Sequence, residues 1–364
     1  MMHATPSGNR IRIAFFGLRN AGKSTLVNKF TGQNIAIVSD VAGTTTDPVS
    51  KAMEILPLGP CLITDTAGLD DVGELGEMRV KKTLEVLEKT DIAVFVDDLA
   101  ETGKRHRAYD LFLKECERFR VTVIDYRRGD DVQALKAKIA ETPVNDPAPG
   151  LLEGLVQDGD RVLCVCPIDE SAPKGRLILP QVQVLRECLD IGAIATVCQV
   201  KGLSALASSP DFSYKLIITD SQAFKEVSSI LPKGANLTSF SILFARQKGD
   251  LKAFEEGLER IHELADGDTV LIAEGCTHHR QCNDIGTVKI PGIISRLSGK
   301  KLNFTFASGG DFPEDASIRL IVQCGGCMLT RREMLRRISK AKERGIPIVN
   351  YGMVFQKGAL NGLG

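Results

Sequence analysis

The stretch IRIAFFGLRNAGKSTLVNKF, Ile11 to Phe30, restricts the fold more than any other. An apolar run of strand composition passes without a break into a loop holding Gly17 and Gly22, and Lys23, Ser24 and Thr25 then open a helix-forming segment. Strand, glycine loop and helix in that order, with the spacing Gly-x4-Gly-Lys-Ser, satisfy the P-loop pattern. The loop residues Gly17, Asn20, Ala21 and Gly22 can turn backbone N–H groups toward phosphates at a helix N-terminus. Lys23 would reach the outer phosphate oxygens, and Ser24 would give its hydroxyl to Mg2+.

Two further stretches fall where a nucleotide switch requires them. CLITDTAGLD puts Asp65 at the end of an apolar strand, suited to holding Mg2+ through water, and gives Gly68 an N–H that can sense a γ-phosphate. VSDVAGTTTDP, between them, offers Thr44, Thr45 and Thr46 as hydroxyls that close on Mg2+. A guanine-reading Asn/Thr-Lys-x-Asp is absent after the strand DIAVFVDD; EKTD, ending at Asp91, precedes that strand. Beyond it come a helix near Arg107 to Phe119, one strand VTVIDY and a helix from Asp131 to Ala140, so one strand with its base-reading loop is missing and Asp125 is a substitute without a physical warrant.

At 364 residues the chain exceeds one hydrophobic core, and three α/β domains are expected, each a mostly parallel sheet with helices: 1–145, 150–250 and 251–364. TPVNDPAPG reads as the first linker. The middle domain alternates apolar runs (RVLCVCPID, AIATVCQV, YKLIITD, LTSFSILFA) with helical stretches and shows no convergent catalytic set, as an assembly domain would. Cys164 and Cys166 share one strand face and read as small buried hydrophobes. Lys plus Arg equals Asp plus Glu at 46 each, which argues against nucleic-acid and membrane partners. The opening MMHATPSGNRIRIAFFG lacks a continuous apolar segment, so a cytoplasmic location is expected. Ten cysteines in that compartment stay reduced, and clustered ones read as metal ligands.

Three thiols do converge by this logic. TVLIAEGC delivers Cys276 at the carboxyl end of one strand, SIRLIVQCGGC delivers Cys324 and Cys327 at the end of another, and ligands collect at such ends. Three thiolates could hold an iron–sulfur cluster, or with His278 a Cys3His zinc site; His279 and Cys282 are further options in the same loop. RREMLRRISKAKER, Arg331 to Arg344, reads as an amphipathic helix with a solvated charged face.

The first domain resembles the translation-factor-like GTPases related to tRNA-modifying and ribosome-assembly G proteins. That resemblance implies GTP and GDP as ligands, Thr45 and Ser24 on Mg2+, Asn20 associated with K+-stimulated hydrolysis, and, with Leu69 after DTAG, a slow rate carried by Lys23, Ser24, Thr45 and Asp65. Across nearly the whole chain, GTTTDPV, PIDESAPKGRLILPQ, EGCTHHRQCNDIGTVKIP and QCGGCMLTRREM resemble the FeFe-hydrogenase maturation GTPase family, HydF. The resemblance implies a homodimeric scaffold, or a higher oligomer, with a GTPase domain, a dimerisation domain and a cluster-binding domain. It implies a 4Fe–4S cluster on Cys276, Cys324 and Cys327, and a di-iron precursor received from two radical-SAM maturases and passed to the FeFe-hydrogenase. Many members carry His where Gln323 stands, which leaves His278 as the candidate fourth ligand. The competing reading is a regulatory G protein for ribosome or tRNA work with a zinc-stabilised C-terminal domain.

Overall fold

The computed structural model describes residues 5, 7–32, 48–69, 74–97, 107–144, 148–168, 175, 177–275, 285–309, 313 and 315–360. The chain divides into two compact units, Met1–Pro147 and Ala148–Gly364.

In the first unit β1 (Ile11–Gly17) leads through the glycine loop into α1 (Lys23–Thr31). β2 (Val49–Ile55), β3 (Gly59–Asp65), α2 (Glu74–Leu87), β4 (Ile92–Asp97), α3 (Arg107–Arg118), β5 (Thr122–Arg127) and α4 (Val132–Glu141) follow. The sheet order is β2-β3-β1-β4-β5, parallel except for β2. β1 and β4 are buried on both faces and read as continuous apolar runs for that reason. Ile13, Phe15 and Val94 pack with α1 and α4 on one side of the sheet; Phe16, Phe95 and Phe112 pack on the other. Among the described residues of the first unit no strand follows β5, in keeping with the missing strand expected from the sequence. Asp91 accepts from Arg12 N–H at 2.9 Å while its own N–H donates to the Arg12 carbonyl, so EKTD clips β4 to β1.

The second unit contains two four-stranded parallel sheets. The first uses β6 (Arg161–Val165), α5 (Leu179–Ile191), β7 (Ile194–Cys198), α6 (Val200–Ala207), β8 (Leu216–Thr219), α7 (Phe224–Ile230) and β9 (Leu237–Ser239), in the order β7-β6-β8-β9. α8 (Phe240–Lys248) and α9 (Leu251–Glu259) precede the second. Its elements are β10 (Thr269–Ala273), α10 (Ile290–Ser298), β11 (Asn303–Ala307), β12 (Ile318–Gln323), α11 (Arg331–Glu343), β13 (Ile348–Asn350) and α12 (Tyr351–Leu360), in the order β11-β10-β12-β13. In both sheets the chain runs outward in one direction from the first strand, returns, and continues in the other. That reversal leaves a crevice at the carboxyl ends of β10 and β12, where open α/β sheets collect ligands.

LTSFSILFA, read from sequence as a strand, is only β to Ser239; from Phe240 it is helix. Ser239 caps the helix by accepting from Ile242 N–H at 3.3 Å, and the apolar residues that look like a strand divide between two cores. Phe240, Leu243 and Phe244 enter the core of the β6 sheet, each contributing roughly 1.5–3 kcal/mol of burial. Ala245 enters the core beneath α11.

α9 crosses β13 at Gly257, where an added Cβ would strike the backbone of Ile348. Gly257→Ala is therefore expected to lower stability by about 1–3 kcal/mol, the usual cost of overpacking, in chemical denaturation of the full chain.

Candidate nucleotide and thiol sites

The phosphate loop is assembled from β1, α1 and the segment after β3. Lys23 Nζ donates to the carbonyls of Leu18 at 2.7 Å and Gly17 at 3.2 Å. Ser24 Oγ donates to Asp65 Oδ2 at 2.6 Å. Asp65 is fully buried, and its Oδ1 lacks a hydrogen-bond partner among the described residues. A buried carboxylate oxygen left open beside a serine hydroxyl fits a hydrated divalent cation, and Ser24 with Asp65 would hold it. Burial raises the Asp65 pKa, against the Ser24 hydroxyl and the Lys23 charge. Thr66 Oγ1 ties the same segment to the Phe15 carbonyl at 2.7 Å, and Leu69 N–H reaches the Gly17 carbonyl at 3.3 Å. Gly68 lies so close to the loop that a Cβ would sit 3.0 Å from Arg19 N.

Asn20 has φ of +60°, a conformation Asn adopts more easily than most residues, which accounts for its identity without reference to K+. Asp125 is exposed on β5 and accepts from Tyr109 Oη of α3 at 2.7 Å, so it braces a helix. The loop after β5 brings Arg128 beside the P-loop: a Cβ on Gly22 would lie 3.8 Å from Arg128 Nε. No sequence pattern marks that placement. Thr44, Thr45 and Thr46 lie outside the described residues.

The thiol site occupies the crevice between β10 and β12. Cys324 N–H continues the ladder to the Ala273 carbonyl at 2.9 Å, and its Sγ accepts from Gly275 N–H at 3.1 Å. Cys276 follows Gly275 in sequence; it, His278, His279 and Cys282 lie outside the described residues. Among the described residues alone no group of three or more His, Cys, Asp or Glu could hold a metal ion. Gln323 is fully buried; Arg337 Nη1 donates to its Oε1 at 2.9 Å, and its amide nitrogen faces Cys324 Sγ at 3.5 Å. Gln323 thus serves the sulfur as a donor. The turn to Cys327 passes through Gly326, whose φ of +68° suits glycine.

Burial pushes both thiols up, and N–H groups oppose it: Gly275 and Gly326 at Cys324, Met328 at Cys327. Lys248 also opposes it at Cys327, and burial brings the pKa of Lys248 itself down to about 8. Burial is the largest effect at both thiols, so on balance each is raised, and ligation would release the thiol proton to solvent as the metal takes its place. Cys164 and Cys166 lie in the apolar core, where burial dominates and pushes Cys166 up to about 12. Cys61, Cys116 and Cys188 are likewise raised by burial, to about 11, 12 and 11.

In α11, Met334 and Ile338 are buried as the amphipathic reading requires, but Arg337 is buried as well, and Arg331 Nη1 donates to the Gln247 carbonyl at 2.7 Å. Two of its arginines therefore hold the unit together.

Family models match three successive segments: the 50S ribosome-binding GTPase over 12–125, the hydrogen maturase F dimerization domain over 151–249, and the hydrogen maturase F tetramerization domain over 252–361. The chain belongs to the hydrogen maturase F family. The two domains named for the family are both described by assembly. Curated relatives match the first segment. GTPase Der of Campylobacter hominis is 39% identical over 87 residues, 24% of this chain and 19% of that protein. GTPase Der of Myxococcus xanthus is 37% identical over 135 residues, 36% and 29% of the two chains. The tRNA modification GTPase MnmE of Endomicrobium trichonymphae is 42% identical over 93 residues, 24% and 20%. The chain thus spans less than a third of the length of these relatives. Among solved structures, Aquifex aeolicus Era bound to GDP and AlF4− aligns over 82% of this chain and 92% of that one, at 18% identity and a TM-score of 0.29.

Asp65→Asn removes the charge that the cation position requires. Nucleotide affinity in the presence of Mg2+ is expected to fall about tenfold to a hundredfold, the equivalent of about 1.5–3 kcal/mol for a charged hydrogen bond, with little change in EDTA; titration with a fluorescent GDP analogue measures both.

Proposed function

We propose that this protein is a GTP-hydrolysing scaffold that binds a 4Fe–4S cluster on Cys276, Cys324 and Cys327 and holds the di-iron precursor of the FeFe-hydrogenase active site for transfer to the hydrogenase. One observation carries the reading: in a hydrogen maturase F chain, Cys324 and Cys327 follow the carboxyl end of β12, which pairs with the end of β10, the strand that Cys276 follows in sequence. When bound, a cluster held by three protein sulfurs would supply an iron open to a further ligand. His278 is the proposed fourth donor; Gln323 is already directed at sulfur and Arg337.

In the first unit Lys23 would neutralise phosphate charge, Ser24, Thr45 and Asp65 would hold Mg2+, and Gly68 would register the γ-phosphate against Arg19. Hydrolysis would be slow, K+-stimulated and guanine-directed, and it would regulate partner contact rather than transform the cargo. The domains would run 1–145 for the GTPase, 150–250 for dimerisation and 251–364 for the cluster, in a cytoplasmic homodimer or tetramer that meets two radical-SAM maturases and the hydrogenase. Among the described residues no helix is long and apolar enough to cross a membrane.

The test is transfer. Protein isolated anaerobically from cells that coexpress both maturases is mixed with hydrogenase lacking its di-iron unit, and hydrogen evolution is measured. Activation is expected from the wild type and its loss from Cys324→Ser Cys327→Ser; equal activation by that variant would contradict the reading. Lys23→Ala is expected to reduce GTP hydrolysis at least a hundredfold, a loss of about 3 kcal/mol of transition-state stabilisation, without removing iron.

A further inference from the structure

Lys248 ends α8, within the segment matched by the dimerization model, yet its side chain is buried in the next segment. Its Nζ donates to three main-chain carbonyls, of Gly326 at 3.2 Å, Cys327 at 3.2 Å and Leu329 at 2.7 Å, and lies 5.2 Å from the centre of the Phe244 ring. An ammonium group has three N–H donors, and three carbonyl acceptors use them all. The same turn carries both thiols, and the Lys248 charge opposes the burial that raises Cys327. Three carbonyls of the turn, that of Cys327 among them, are thus drawn onto one buried cation.

We propose that Lys248 is a positioning residue for the thiol site: it gathers three carbonyls of the Cys324 to Leu329 turn and so sets where Cys327 stands, and it places a buried ammonium beside that thiol. The consequence for a metal cluster is electrostatic. A nearby buried cation favours the more negatively charged, reduced state, so it raises its reduction potential. The consequence for the chain is that the cysteine turn depends on a residue of the preceding segment, through a short helix whose Phe240, Leu243 and Phe244 are anchored in the β6 sheet.

The test uses the full-length chain with Lys248→Gln, Lys248→Arg and, as a control, Lys252→Gln at an exposed lysine of α9. Two readouts are taken: the midpoint potential of the anaerobically reconstituted cluster, and hydrogen exchange of the peptide spanning residues 324–329 in metal-free protein. The potential arm rests on the cluster reading; the exchange arm does not. Lys248→Gln is expected to shift the potential downward and to speed exchange in that peptide, with β10 and β12 unchanged. Lys248→Arg is expected to hold the potential nearer to the wild type while still speeding exchange, because a planar guanidinium fork cannot converge on three carbonyls as an ammonium does. Lys252→Gln is expected to change neither. Wild-type exchange in the turn for both Lys248 variants would overturn the proposal, as would an unshifted potential in a Lys248→Gln protein with full iron content. If Lys248→Gln does not fold, exchange in Lys248→Arg decides the proposal. If the wild type assembles no cluster, the cluster reading fails and exchange still decides the role of Lys248.

Discussion

Parallel strands that end at one edge of a sheet are the constraint on which this molecule depends. A parallel ladder forces each connection back across a face of the sheet, so chemistry-bearing residues accumulate where the strands end. β1 ends at the phosphate loop, β3 at Asp65, β5 beside Arg128, β10 at Gly275 and β12 at Cys324. Neither site has a separate scaffold; each is a continuation of backbone hydrogen bonding beyond the last paired residue, as the Cys324 N–H to Ala273 carbonyl bond shows. The cost of ordering these positions is largely met by the buried apolar strands behind them.

Local continuity decided what could be read from the sequence. The strand, loop and helix around Lys23 are adjacent in the chain, so their pattern carries its own context, and SIRLIVQ runs directly into Cys324; Cys276, the thiol expected after TVLIAE, lies outside the described residues. The core role of Cys164 and Cys166 was legible from their shared strand face. Residues that act across long separations were not. Lys248 reaches carbonyls about eighty positions away, and nothing in FARQKGD distinguishes it from a surface lysine. Gln323 was read only as the loss of a histidine, whereas Arg337 on α11 turns it into a donor for Cys324. LTSFSILFA misled because aromatic and β-branched residues favour strands in isolation, while here two cores claim opposite sides of a helix capped by Ser239.

The same contrast separates the cysteines. Burial raises all the described cysteines, and what sets Cys324 and Cys327 apart is their place after the end of β12, in a turn whose carbonyls Lys248 gathers. The chain thus combines a phosphate loop in one unit with a cysteine turn held by a buried lysine in the other, in a family whose two named domains are described by assembly. The proposed scaffold would need such a division: one part that changes with nucleotide and one that keeps its cargo ligands fixed.

The most direct test of the account is metal and acid-labile sulfide analysis of anaerobically prepared protein, joined to EPR of the dithionite-reduced sample. The account predicts iron and sulfide in about equal amounts, near four of each per chain, and the fast-relaxing signal of a reduced 4Fe–4S cluster. Stoichiometric zinc with no labile sulfide would contradict it and make the thiol turn a structural metal site.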